Sequence, residues 1–74
     1  MNEFARMTVD HTLPRIILAE FDEMPAMRLT MAQVCRLWGL TRPAAEAIIG
    51  RLVARGRLAI DRLGRVCRPD DLEP

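Results

Sequence analysis

Every basic side chain in this sequence is an arginine. The eleven arginines stand without one lysine, and serine and tyrosine are missing as well. Guanidinium groups bind phosphate and carboxylate oxyanions through paired N–H donors, so the chemistry on offer is anion binding. Serine nucleophiles, Schiff-base or phosphate-loop lysines and tyrosine acids are excluded by composition. That points to a non-enzymatic protein. Cys35 and Cys67 lie 32 positions apart and make no ligand cluster with the single histidine, His11, so neither a metal nor a cofactor is expected. Cys35 reads as a small buried hydrophobe. Cys67, set between Val66 and Arg68 near Arg65, is the candidate for a reactive thiol, because neighbouring cations lower a thiol pKa. His11 has no partner at ligand spacing and is expected to be solvated.

The formal net charge of +1 hides an uneven distribution. Residues 28–68 carry nine arginines against Glu46 and Asp61, a net +7, between two ends of −3 each. A basic block of this kind attracts phosphate backbones or serves as a solvated face. Half of the 74 residues are hydrophobic, a globular composition in a chain of one-domain size. A chain this short hides only about 60% of its unfolded surface, which disfavours a deep active-site cavity. The longest apolar run is the four residues Ile16 to Ala19, too short to span a bilayer. With no secretory pattern in the sequence, a soluble, cytoplasmic protein is expected.

These residues must be positioned by elements that the sequence marks unevenly. Residues 1–11 show no sustained period and are expected to form a flexible arm, with Phe4, Met7 and Val9 able to dock. Thr12 can cap a first helix whose buried stripe is Leu13, Ile17, Phe21 and Met24, flanked by Ile16 and Leu18. Pro25 stops it, and Met24 to Leu29 make the connection. Thr30 to Gln33 spell a capping box. Met31, Val34, Cys35 and Trp38 then share one face, with Leu37 beside it, and Trp38 reads as core. Gly39 suits a left-handed helix end, with Leu40 packing back. Thr41 caps a third helix, 41–55, buried through Ala45, Ile48, Ile49 and Leu52, and Gly56 ends it. Residues 58–68 read as a hairpin turning at Asp61 to Gly64, with Gly64 at positive φ in a bulged three-residue loop. Pro69 and three acids are expected to form a solvated tail over 69–74.

The fold class expected is mainly α with a small β-hairpin, a winged helix-turn-helix over residues 12–68. The stretch from Leu29 to Leu58 resembles the DNA-binding half of MarR-type winged-helix regulators. The resemblance rests on Leu29-Thr30, Val34-Cys35, Leu37 through Thr41, Arg42-Pro43 and Leu52 through Gly56. It implies that the third helix lies in the major groove and that the hairpin reaches the flanking backbone. The long helices with which MarR-type proteins dimerise have no counterpart in this sequence.

At 100° per residue, Pro43, Ala47, Gly50 and Ala54 face directly away from the buried stripe of the third helix. All four are small or lack a side-chain donor, whereas family members place Ser, Thr, Arg or Gln among such positions. Two uses of this bare stripe remain open. In the first, the helix approaches duplex DNA around Pro43 and Ala47. Arg42, Arg51 and Arg55 flank the helix, and Arg62, Arg65 and Arg68 on the wing grip phosphates. In the second, a protein partner docks against Pro43, Ala47, Gly50, Ala54 and Leu37. Ile16, Leu18, Leu37 and the N-terminal arm offer a further patch for a homodimer or another protein. Regulation of transcription is the expected role, in a bacterial setting.

Overall fold

A computed structural model describes residues 12–72, and these form three helices followed by an antiparallel hairpin. The expected N-terminal arm, with His11, lies outside the described residues. Helix α1 spans Leu13–Glu23, α2 Met31–Trp38 and α3 Arg42–Ala54. Strands β1 (Ala59–Ile60) and β2 (Val66–Cys67) pair as Ala59 with Cys67 and Ile60 with Val66. This is the expected layout of three helices plus a small wing.

The helix ends follow their local chemistry. Thr30 accepts a bond from the Gln33 backbone N–H at 3.1 Å while the Gln33 side chain accepts from the Thr30 N–H at 2.8 Å. The capping box is complete. At the other end of α2, Gly39 adopts φ +65°, and the Leu40 N–H reaches back to the Cys35 carbonyl at 2.9 Å. Thr41 then caps α3 by accepting from the Ala44 N–H at 3.3 Å. Only Gly39, Leu40 and Thr41 separate the two helices, which pack against each other.

Ile17 and Phe21 of α1, Val34 of α2, and Ala45, Ile48, Ile49 and Leu52 of α3 bury against Leu58 and Val66 of the hairpin. Met31, Cys35 and Trp38 pack around that core, as their shared face predicts. The core is the reason the hairpin stays in place: two strands alone are marginal in water.

Several expectations fail locally. Thr12 makes no side-chain cap bond and has helical dihedrals, so α1 begins without the cap its sequence offers. Met24 is 54% exposed rather than part of the buried stripe, because the helix has already ended at Glu23. The connection after α1 is not passive either. Leu29 and Val66 exchange both backbone bonds, at 2.9 and 2.6 Å, and so add an isolated β-bridge to the two-stranded hairpin. Nor is the tail wholly solvated. Pro69–Asp71 forms a 3-10 turn, and an Asp71 carboxylate oxygen accepts the Ala26 N–H at 3.1 Å. The Arg28 guanidinium also donates to the Asp71 carbonyl.

Candidate nucleic-acid interface

Pro43, Ala47, Gly50 and Ala54 are all exposed on the outward side of α3. A Cβ built on Gly50 meets nothing within 4 Å, so glycine there is not demanded by any internal neighbour. Leu37 of α2 is 57% exposed, and Ile16 of α1 is 42% exposed. Leu18 is half-buried against the core instead, and offers less to a partner than its sequence position suggests.

The arginines expected to flank this face do not act as one set. Arg42 donates from Nε to a Glu46 carboxylate oxygen at 3.0 Å, one helical turn away. Both side chains are more than half exposed, so the pair adds little stability but offsets the charge on that edge. Arg51 and Arg55 lie differently. With Arg15 of α1 and Arg57 beyond α3, they rim a groove of about 420 Å³ between the two helices. The groove's floor is apolar, formed by Pro14, Leu18, Ile48 and Leu52. None of the four arginines is ion-paired among the described residues. Arg15 and Arg57 had escaped sequence reasoning: the first sits in the acidic third of the chain, and the second follows a helix-ending glycine.

The wing is built around Asp61, which the sequence marks only as a turn residue. One carboxylate oxygen accepts the backbone N–H groups of Leu63 and Arg65, both at 2.9 Å. The other accepts Arg28 Nη1 and Arg65 Nε, again both at 2.9 Å. The Asp61 N–H and the Arg65 carbonyl close the loop at 2.9 Å, and Gly64 takes φ +81°. The Arg65 backbone N–H, followed by the Arg28 guanidinium and the Leu63 N–H, holds the carboxyl well below the usual carboxylate range against the opposing effect of burial. The hydrogen bond to Asp61 raises the Arg28 pKa in return.

Arg65 therefore commits its Nε to the wing's own structure, while its side chain stays partly exposed. Arg62 remains exposed on the loop and is not ion-paired among the described residues. Leu63 beside it is 72% exposed. Arg68 approaches Asp70 at 3.5 Å and borders a shallow depression that also contains Asp22 and Arg57. Its surroundings are mixed in sign, unlike the four-arginine groove.

Cys67 overturns its expectation. The thiol is fully buried and burial pushes its pKa up, outweighing the nearby Arg28 and Arg65. A thiol held protonated under the core is not a reactive one. Among the described residues, no three His, Cys, Asp or Glu side chains gather to hold a metal ion, and no helix is long and apolar enough to cross a membrane. Comparison with protein-family models, with curated proteins and with solved structures gives no match to this chain.

Proposed function

We propose that this chain is a small, non-enzymatic protein that binds duplex DNA as a transcriptional regulator or accessory factor. In this reading α3 enters the major groove and the wing reaches the backbone beside it. The observation that carries the reading is the open outward face of α3, edged by Arg51 and Arg55, neither of them ion-paired among the described residues. A helix with its side chains is about 10–12 Å across, and the major groove is about 12 Å wide. With only Pro43, Ala47, Gly50 and Ala54 outward, α3 sits deeper than a helix bearing long side chains. Arg51 and Arg55 then meet phosphates along one bordering strand, and Arg62 meets a third from the wing. The resemblance to MarR-type regulators supports the same placement.

Phosphate contacts position a protein without reading bases. The chain is thus a binder of duplex shape and charge more than of sequence. Titrating a labelled random-sequence duplex between about 50 and 200 mM salt tests this: with three phosphates neutralised, log K falls against log salt with a slope of at least about −2.7 in magnitude. No detectable binding at the low-salt end rejects the reading.

One observation favours a second reading. Leu37 is 57% exposed, and an exposed leucine together with the small-residue face of α3 suits a protein partner as well. A chain that ignores duplex DNA at low salt leaves this docking reading as the better one.

A further inference from the structure

Of the six arginines without an ion-pair partner among the described residues, four rim one groove. They come from three separate parts of the chain: Arg15 near the start of α1, Arg51 and Arg55 on α3, and Arg57 after it. Among the described residues no acidic side chain lines the groove, whereas the neighbouring depression that shares Leu18 and Arg57 contains both Asp22 and Asp70. Like charges crowded at a groove repel one another and raise the local concentration of anions. α1 adds to the field, since its N-terminal turn has neither an acidic residue nor a side-chain cap, and that end of a helix is positive. The carboxylates that neutralise Arg28, Arg42, Arg65 and Arg68 are all elsewhere.

We infer that this α1–α3 groove is a phosphate clamp for one strand of bound duplex DNA, and that Arg15 and Arg57 contact the backbone together with Arg51 and Arg55. The inference rests on the DNA-binding reading and extends it to α1. Two features favour a nucleic-acid backbone as occupant. Arg51 and Arg55 belong at once to the groove and to the edge of the α3 face, so a strand bordering the major groove passes directly over it. A backbone also alternates anionic phosphates with less polar sugars, which matches an arginine rim above a floor of Pro14, Leu18, Ile48 and Leu52. The opposite edge of α3, where Glu46 engages Arg42, lacks this concentration of unpaired charge. The clamp is one-sided.

The full chain carrying Arg15→Gln and Arg57→Gln tests the clamp against Arg36→Gln, a control that removes an unpaired charge from α2. Arg15, Arg36 and Arg57 are all exposed, so each variant should melt close to the parent. With the clamp in place, five phosphates are neutralised and the parent's salt slope is about −4.5; the double variant falls to about −2.7 and binds roughly fifty-fold more weakly near 0.1 M salt. Arg36→Gln leaves the slope unchanged. If the parent binds duplex and the double variant keeps its slope, the clamp is wrong and the DNA-binding reading stands. A slope loss of about 0.9 in Arg36→Gln, the same per charge as in the double variant, also overturns the clamp, because the attraction is then diffuse. Polyglutamate is the second arm. A parent that binds it in place of duplex, or binds neither, overturns both readings.

Discussion

Asp61 combines burial with four accepted hydrogen bonds, and each donor favours its ionised form. Its aspartate character suits the turn, and that much is legible in sequence. Its partnership with Arg28, 33 positions away, carries no local signal. The same distance problem hides the fate of Cys67, whose neighbours in sequence suggest activation while its neighbours in space bury it. A carboxyl whose folded pKa lies below the unfolded value, about 3.9, contributes stability that is complete above that value and is lost as pH falls through the folded one. Asp61→Asn removes this contribution and sets an amide N–H₂ or a weaker acceptor against Arg28 and Arg65. The variant is expected to be less stable than the parent at neutral pH, with the gap narrowing below about pH 4. Urea midpoints at neutral and acid pH measure it. A gap that stays constant across that range contradicts the role given to the carboxylate.

At the scale of elements, legibility tracks how local the physics is. Both threonine caps at Thr30 and Thr41, the left-handed end at Gly39 and the bulged wing loop at Gly64 depend on residues within a few positions, and all are as the sequence reads. The α1–α2 connection depends on distant groups and is not. There the Met27 N–H closes on the Met24 carbonyl at 3.0 Å, with Pro25 and Ala26 between them. Ala26 has φ +77°, the value a type II turn requires at its third residue, where glycine is favoured. Asp71 from the far end of the chain bonds the Ala26 N–H, and the Leu29–Val66 bridge pins the end of the connection. These contacts hold alanine in a conformation that costs an L-residue about 1–2 kcal/mol. Glycine removes that cost but returns about 0.4–1 kcal/mol through its looser unfolded chain. Ala26→Gly is therefore expected to stabilise the protein by about 0.5–1 kcal/mol, a rise of roughly 4 °C in melting temperature. A thermal melt with no rise would show that the surrounding contacts already relieve the strain.

Across the whole molecule, the +7 block is plain in the sequence, but the structure divides its arginines by occupation. Arg28 and Arg65 brace the wing through Asp61, Arg42 and Arg68 face acids one turn or two residues away, and Arg51, Arg55 and Arg57 join Arg15 around the α1–α3 groove. Of these pairs only Arg42 and Glu46 share a helix, at the i,i+4 spacing that brings side chains together. The groove joins a residue from the acidic third of the chain to three from the basic block, so no window of sequence contains it. Positive charge without an ion-pair partner among the described residues thus gathers on an edge of α3, while the middle of its outward face holds Pro43, Ala47, Gly50 and Ala54. A good bidentate base contact discriminates by about 1–3 kcal/mol, and none of these four side chains can make one. Competition among short duplexes of unrelated sequence is accordingly expected to give affinities within a few-fold of each other, far inside the roughly 10³-fold or greater margin of a sequence-specific binder. A preference above about a hundred-fold for any one duplex would mean that arginines at the edge reach bases, or that DNA shape is read instead. Shape readout follows the deformability of the competing duplexes, whereas a direct base contact is lost with a single base-pair change. A competition series that varies the two separately decides between them.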